Sequence, residues 1–147
     1  MTIGEMDPNF KEKWDAIASP PVRLIIAGGR DFNDLPLVKI SMAAFCNEHF
    51  AAPNQITIIS GMCRGADILG CDWARTMGSE IVKMPAWWRG EDNNGPYNKA
   101  AGYQRNERMA RDATHLIAFW DGKSKGTGHM IDLGVQYNLK TKVVNYV

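Results

Sequence analysis

A chain of 147 residues and 16.4 kDa is about one domain's worth, at the usual ~100–200 residues per domain, which excludes a two-lobed enzyme with a separate substrate domain. Apolar residues make up 45% and charged residues 22%, the balance of a globular protein and not of a disordered or disulfide-stapled one. Seventeen Lys and Arg against sixteen Asp and Glu leave a formal charge of +1, too even to draw nucleic acid or an anionic membrane by bulk electrostatics, so any anion must be held by a local site.

In chain order, residues 1–21 stand apart as a helical arm: Asp7-Pro8 offers a cap with Pro at the first helical position, and Phe10, Trp14, Ile17 and Ala18 share one face before the breaker Ser19-Pro20-Pro21. Such an arm packs across its own domain or covers a subunit interface. From 22 to 147, short aliphatic runs alternate with helical-period segments, the pattern of parallel βα units. Five strands are predicted, at Val22 to Ala27, Gln55 to Ser60, Glu80 to Met84, His115 to Phe119 and Lys142 to Val147. Between the first two, Leu37, Ile40, Ser41, Ala44 and Phe45 form a helical apolar stripe; Ala66, Leu69, Gly70, Trp73, Ala74 and Met77 repeat it after the second. Further helices are predicted over about Tyr103 to Asp112 and Thr127 to Leu139. The stretch Pro85 to Gly102, rich in Gly, Asn, Trp and charge, is longer than connections usually are unless they are functional.

The fold class that follows is α/β: one Rossmann-like three-layer domain with a mostly parallel five-stranded sheet in the order 3-2-1-4-5 and helices on both faces. Ligands bind such sheets at the C-terminal ends of the strands, where the strand order reverses. That rim carries three glycine-rich turns: Gly28-Gly29-Arg30-Asp31-Phe32 after strand one, Ser60-Gly61 through Gly65-Ala66-Asp67 after strand two, and Asp121 to Gly128 after strand four, including Ser124, Gly126 and Thr127. Glycine lets backbone N–H groups approach an anion, and a helix starting there adds its positive end, so the turns read together as a phosphate cradle. Taken singly, each is a tight βα turn. In the long loop, Trp87 is a stacking candidate, while Arg105 and Asn106, expected at a helix start, are candidates for gripping phosphate and reading a base or ribose.

Sharper motifs fail. No G-x-G-x-x-G follows strand one, and Ser60 stands where a dinucleotide fold places its ribose-binding acid; Gly122-Lys123-Ser124 lacks the leading Gly of a P-loop, since position 117 is Ile. No cofactor is expected. Gly122-x-Ser124-x-Gly126 matches a nucleophile elbow, but only His129 and Asp132 follow it, both on the helix it would start. Cys46, Cys63 and Cys71 lack metal-ligand spacing and read as reduced thiols, with no metal site. Apolar runs are too short to span a membrane and the acidic start is no signal peptide, so a cytoplasmic protein is expected.

The glycine-rich turns, together with Ala101-Gly102, Arg105-Asn106-Glu107-Arg108-Met109 and Ala118-Phe119-Trp120-Asp121-Gly122, resemble the YspA-like, cpYpsA-related branch of the SLOG superfamily, which also includes DprA-type and LOG proteins. The resemblance covers Val22 to Val147. It implies a Rossmann-like fold that binds nucleotide-derived ligands, in some members to sense them and in others to cleave nucleoside monophosphates. The LOG signature Gly-Gly-x-Gly-Thr-x-x-Glu ends here in Met130, so the LOG catalytic Glu is absent.

The expectation is therefore a module that senses or sequesters a nucleotide or ADP-ribose-like ligand through Gly28, Gly29, Arg30, Ser60, Gly61, Gly65, Asp67, Trp87, Arg105, Asn106, Ser124, Gly126 and Thr127. The alternative is a phosphoribohydrolase of nucleoside monophosphates, with Asp31 and Glu107 as its catalytic carboxylates. The expected partner is that small molecule, with no nucleic acid and no membrane. By analogy with related folds, the chain is expected to form a homo-oligomer, a dimer at least.

Overall fold

The computed structural model describes residues 21–146. The helical arm predicted over residues 1–21 therefore lies outside the described residues but for Pro21. The elements run β1 (Val22–Gly28), α1 (Leu35–Glu48), a 3-10 turn (Pro53–Gln55), β2 (Ile56–Ser60), α2 (Ala66–Met77), β3 (Glu80–Lys83), α3 (Ala101–Asp112), β4 (His115–Trp120), α4 (Lys125–Gln136) and β5 (Lys140–Asn145). All strands pair in parallel in the order β3-β2-β1-β4-β5, as the βα alternation predicts. β1, β2 and β4 are covered on both faces, which is why they read as continuous aliphatic runs and not as alternating ones.

Two apolar layers sandwich the sheet. On one face Val38, Met42 and Phe45 of α1 and Ala66, Trp73 and Ala74 of α2 meet Leu24, Ile26, Ile58, Ile117 and Phe119. On the other, Met109 and Ala110 of α3 and Met130 and Leu133 of α4 meet Ile25, Ile59, Leu116 and Ala118. Burying each large aliphatic side chain contributes about 1.5–3 kcal/mol.

Two expectations are corrected. β5 starts at Lys140, not at residue 142, because α4 stops at Gln136, the chain reverses through Asn138 in the left-handed region (φ 58°), and the ladder opens with His115 opposite Lys140. α1 keeps its predicted place, but its buried face is rotated: Val38, Met42 and Phe45 point inward, while Ile40 is 67% exposed and Ala44 is exposed. Ile40 and Ala44 look toward β5, over which no described helix lies on the α1 face.

Candidate functional site

The C-terminal ends of β1 and β4 part at the reversal of strand order, and a cleft of about 460 Å³ opens there. That volume falls in the range of ~300–1,000 Å³ usual for small-molecule sites. Of the residues singled out in the sequence, Gly28, Gly29, Arg30, Asp31, Asp67, Arg105, Asn106, Ser124, Gly126 and Thr127 line it.

The turn after β4 is shaped by Asp121. Its Oδ1 accepts from the N–H groups of Lys123 and Ser124, both at 2.8 Å, and these bonds hold its carboxyl below the ordinary carboxylate range. The turn delivers Ser124 to the start of α4. Gly128 N–H then bonds Ser124 O at 3.0 Å, while Ser124 Oγ pairs with Thr127 Oγ1 at 3.3 Å and caps no backbone N–H of the first turn. The N–H groups of Lys125, Gly126 and Thr127 are thus left without an intrahelical acceptor, at the positive end of the helix. A Cβ at Gly126 would meet nothing within 4 Å, so this backbone is open to the cleft.

The turn after β2 is closed instead. Ala66 N–H donates to Gly29 O, and Asp67, in the first turn of α2, folds back so that its carboxylate accepts from Cys63 N–H. Gly65 has φ +88° and lies so close to the Gly29–Arg30 backbone that no side chain fits. A Cβ at Gly28 would stand 2.6 Å from Ala66 Cβ and from Phe119 O; one at Gly61 would stand 2.8 Å from both Arg105 Nη1 and Asp67 Oδ2. These glycines join loop to loop, so the reading of all three turns as one anion cradle is corrected for this one. Ser60, Gly61 and Gly65 do not line the cleft. Ser60 Oγ instead accepts from Met62 N–H.

Arg105 binds the closed turn from α3. The helix begins at Ala101, so Arg105 sits in its second turn and is only 7% exposed, which corrects its expected place at a helix start. Its guanidinium donates to Gly61 O, Asn106 Oδ1 and Cys63 Sγ. Asp67 is likewise 7% exposed. Burial pushes its pKa up from 3.8 to about 6, against the opposing pull of Arg105, the Cys63 and Gly61 N–H groups, and Arg30. The network continues through Asn106 Nδ2 to His129 Nδ1 at 3.3 Å, and His129 packs edge-on to Tyr103. Burial lowers the pKa of His129.

Two further expectations fail on geometry. Glu107 does not line the cleft; its carboxylate accepts from Arg111 and from the Tyr137 hydroxyl, at 2.8 and 2.9 Å. Trp87 is held under the Arg108 guanidinium, 3.9 Å from its ring centroid, while Arg108 also donates to Pro85 O. Trp88 takes the cleft position instead, stacked on Tyr97 and in contact range of Gly102. Lys99, Tyr103, Met109, Met130 and Tyr146 also line it, as do Cys63 and Asp121. Tyr146 was findable from the rule that strand ends face the site, had β5 been placed two residues earlier; no sequence pattern singles out Met109 or Met130.

The profile of the YAcAr family, described as the YspA, cpYpsA-related SLOG family, matches residues 22–90, from β1 into the long loop. Over that span the chain is similar to SLOG proteins. Among solved structures, DNA processing protein A of Helicobacter pylori, described for its single-stranded DNA binding mode, aligns at TM-score 0.60 and 17% identity, over 86% of this chain and 66% of that one. DprA of Streptococcus pneumoniae aligns at TM-score 0.64 and 12% identity, over 90% of this chain and 53% of its own. These likenesses show the fold; the chain spans less than two thirds of either protein. No curated protein matches it. Among the described residues, no helix is long and apolar enough to cross a membrane, and no group of three or more His, Cys, Asp or Glu is placed to hold a metal.

Proposed function

We propose that the cleft binds a nucleotide-derived, phosphate-bearing small molecule, to sense or sequester it. The observation that carries this reading is the open first turn of α4, with unpaired N–H groups at Lys125, Gly126 and Thr127, lining one cleft with the exposed Arg30. A phosphate at that turn accepts from the helix and from Arg30. Trp88 and Tyr103 give a base its stacking wall, and Asn106 supplies an amide at the floor. Arg105 acts indirectly, by fixing the β2–α2 turn. Three free cysteines support a reducing, cytoplasmic setting.

The test is a thermal-shift panel of nucleoside mono-, di- and triphosphates, ADP-ribose and a single-stranded DNA oligonucleotide, repeated with Arg30→Ala. A nucleotide-class ligand should raise Tm, and the variant should lose most of the rise. No response to any nucleotide sinks the reading. A response to the oligonucleotide alone overturns the expectation of no nucleic-acid partner.

A second reading, the phosphoribohydrolase, draws on two of the three carboxylates that line the cleft, Asp121 being engaged by its own turn. Asp31 is at its mouth, its side chain 99% exposed, and Asp67 is in its wall with a pKa raised to about 6. A carboxyl poised near neutrality suits general acid–base work at a glycosidic bond. Release of free base and ribose 5-phosphate from a nucleoside monophosphate, abolished in Asp67→Asn and Asp31→Asn, decides for it.

A further inference from the structure

Asn106 lines the cleft, is 8% exposed, and joins α3 to α4 through a side-chain bridge whose polarity its neighbours dictate. Arg105 Nε donates to Asn106 Oδ1 at 3.0 Å, and Asn106 Nδ2 stands 3.3 Å from His129 Nδ1. A guanidinium carries N–H donors and no acceptor, so the Asn106 atom that faces Nε is the oxygen and the atom that faces His129 is the amide nitrogen. That nitrogen can only donate. His129 Nδ1 is therefore the bare, accepting nitrogen of a neutral ring whose proton sits on Nε2.

Both ends of this bridge are anchored. Arg105 is held by Gly61 O and Cys63 Sγ of the β2–α2 turn, and the His129 ring meets Tyr103 of α3 edge-on, with centroids 4.5 Å apart. The Asn106 amide thus sits between a group that must donate and a group that must accept, and a flip would lose both bonds. His129 itself does not line the cleft, so its influence on a ligand passes through Asn106. A side chain clamped in this way meets its ligand without a further ordering cost.

We propose that His129 is a positioning residue of the cleft: by accepting from Asn106 it holds the amide so that its second Nδ2–H is presented to an oxygen or ring-nitrogen acceptor of a bound nucleotide. This rests on the reading of the cleft as a nucleotide site. The neutral ring is the working form. On protonation Nδ1 gains a hydrogen and faces the Asn106 amide donor to donor, so the bond is lost and the amide is released. The titratable groups about the ring are Tyr103 and Glu107 on α3 and Asp132 on α4. The two carboxylates favour the cation, but burial outweighs them and lowers the His129 pKa from its ordinary 6.5. The cleft is therefore in its working form at neutral pH and loses affinity as pH falls below 6.5.

Two measurements on the full chain test this. Nitrogen NMR of the isotopically labelled protein, without ligand, should show the His129 proton on Nε2 at pH 8, and the Asn106 side-chain amide signal should move with the same midpoint as the His129 ring. A proton on Nδ1 at pH 8, or an amide signal indifferent to the ring, overturns the proposal. The second measurement is calorimetric titration of AMP and of ADP-ribose from pH 8 to pH 5, comparing wild type with His129→Asn, whose Oδ1 can accept in place of Nδ1 but does not titrate. Taking the ratio of the two proteins cancels the ionisation of the probe's phosphate and of Asp67. Wild type should lose about three- to tenfold in affinity relative to His129→Asn as pH falls, the worth of one hydrogen bond, and His129→Ala should be weaker by a similar factor already at pH 8. A flat ratio with intact binding overturns the positioning role and leaves the reading of the cleft standing; binding of neither probe at any pH removes that reading and the positioning role with it.

Discussion

Helices α2 and α4 both begin just past a glycine-rich turn, at the same rim of the same sheet, and they present opposite surfaces to the cleft. At α2 the chain itself closes the entry: Gly29 O takes the first N–H, of Ala66, and the Asp67 carboxylate folds back onto Cys63 N–H in the preceding turn, with Arg105 nearby. At α4 the cap side chain bonds Thr127 Oγ1 and no backbone N–H, and three N–H groups stay available. The difference lies in the residues that follow the glycine. Asp67 in the first turn ties α2 back to its own loop, whereas Gly126 and Thr127 make no such tie and leave the α4 end open. Glycine spacing alone does not separate a structural turn from an anion site.

The closed end breaks most easily through Arg105. Arg105→Ala removes the bonds to Gly61 O, Asn106 Oδ1 and Cys63 Sγ and the positive charge near Asp67, and should cost about 3 kcal/mol in urea unfolding; an unchanged midpoint would show that the turn is held by other contacts. Gly65→Ala, at φ +88° and against the Gly29–Arg30 backbone, should lose about 3 kcal/mol in the same assay. Next comes the pH dependence of Asp67. Its folded pKa, about 6, lies above its ordinary 3.8, so its contribution to stability is fully present below about pH 3.8 and lost as pH rises through 6, on the order of 3 kcal/mol. His115 works in the opposite sense. Burial pushes its pKa down to about 4, so its contribution is present above about pH 6.5 and lost as pH falls through 4. Comparing wild type with Asp67→Asn across pH 4–8 cancels His115, and the variant should gain on the wild type as pH rises through 6; a pH-independent difference would refute the raised pKa.

The open end should answer in binding instead of folding. Arg30→Ala should weaken a phosphate ligand by at least about tenfold, the worth of a charge-assisted hydrogen bond, and change stability by less than about 0.5 kcal/mol. The smallest effect is expected for Gly126→Ala, whose Cβ enters empty space: stability within about 0.5 kcal/mol of wild type by thermal melting, with any loss confined to the ligand titration.

The sheet order was legible because buried parallel strands advertise themselves as aliphatic runs, and β1, β2 and β4 are such runs. The edge strand was displaced because Lys140-Thr141-Lys142 carries no apolar signal; its register comes from pairing with His115, a tertiary fact. The stripe of α1 was read one step out of phase because Ile40 and Ala44 are apolar without being covered by the described residues, and periodicity cannot tell a buried stripe from a bare one. At the site, the cleft and most of its lining followed from the strand-end rule. Partner choice did not: that Arg105 would serve Gly61 and Cys63, that Glu107 would turn to Tyr137, and that Trp88 instead of Trp87 would face the cleft all depend on contacts between segments far apart in sequence.

The reversal of strand order at β1 and β4 also sets the sequence of events in folding. β1 can pair with β2, and β2 with β3, early, since these lie close along the chain. Its other edge waits for β4: Arg23 N–H bonds Thr114 Oγ1 across 91 positions, and the ladder runs from Leu24–His115 to Gly28–Phe119. Closing so long a loop is slow compared with local pairing. On the ribosome the first half of the sheet can assemble while the open helix end is still unmade, so the cleft comes into being only with the last third of the chain.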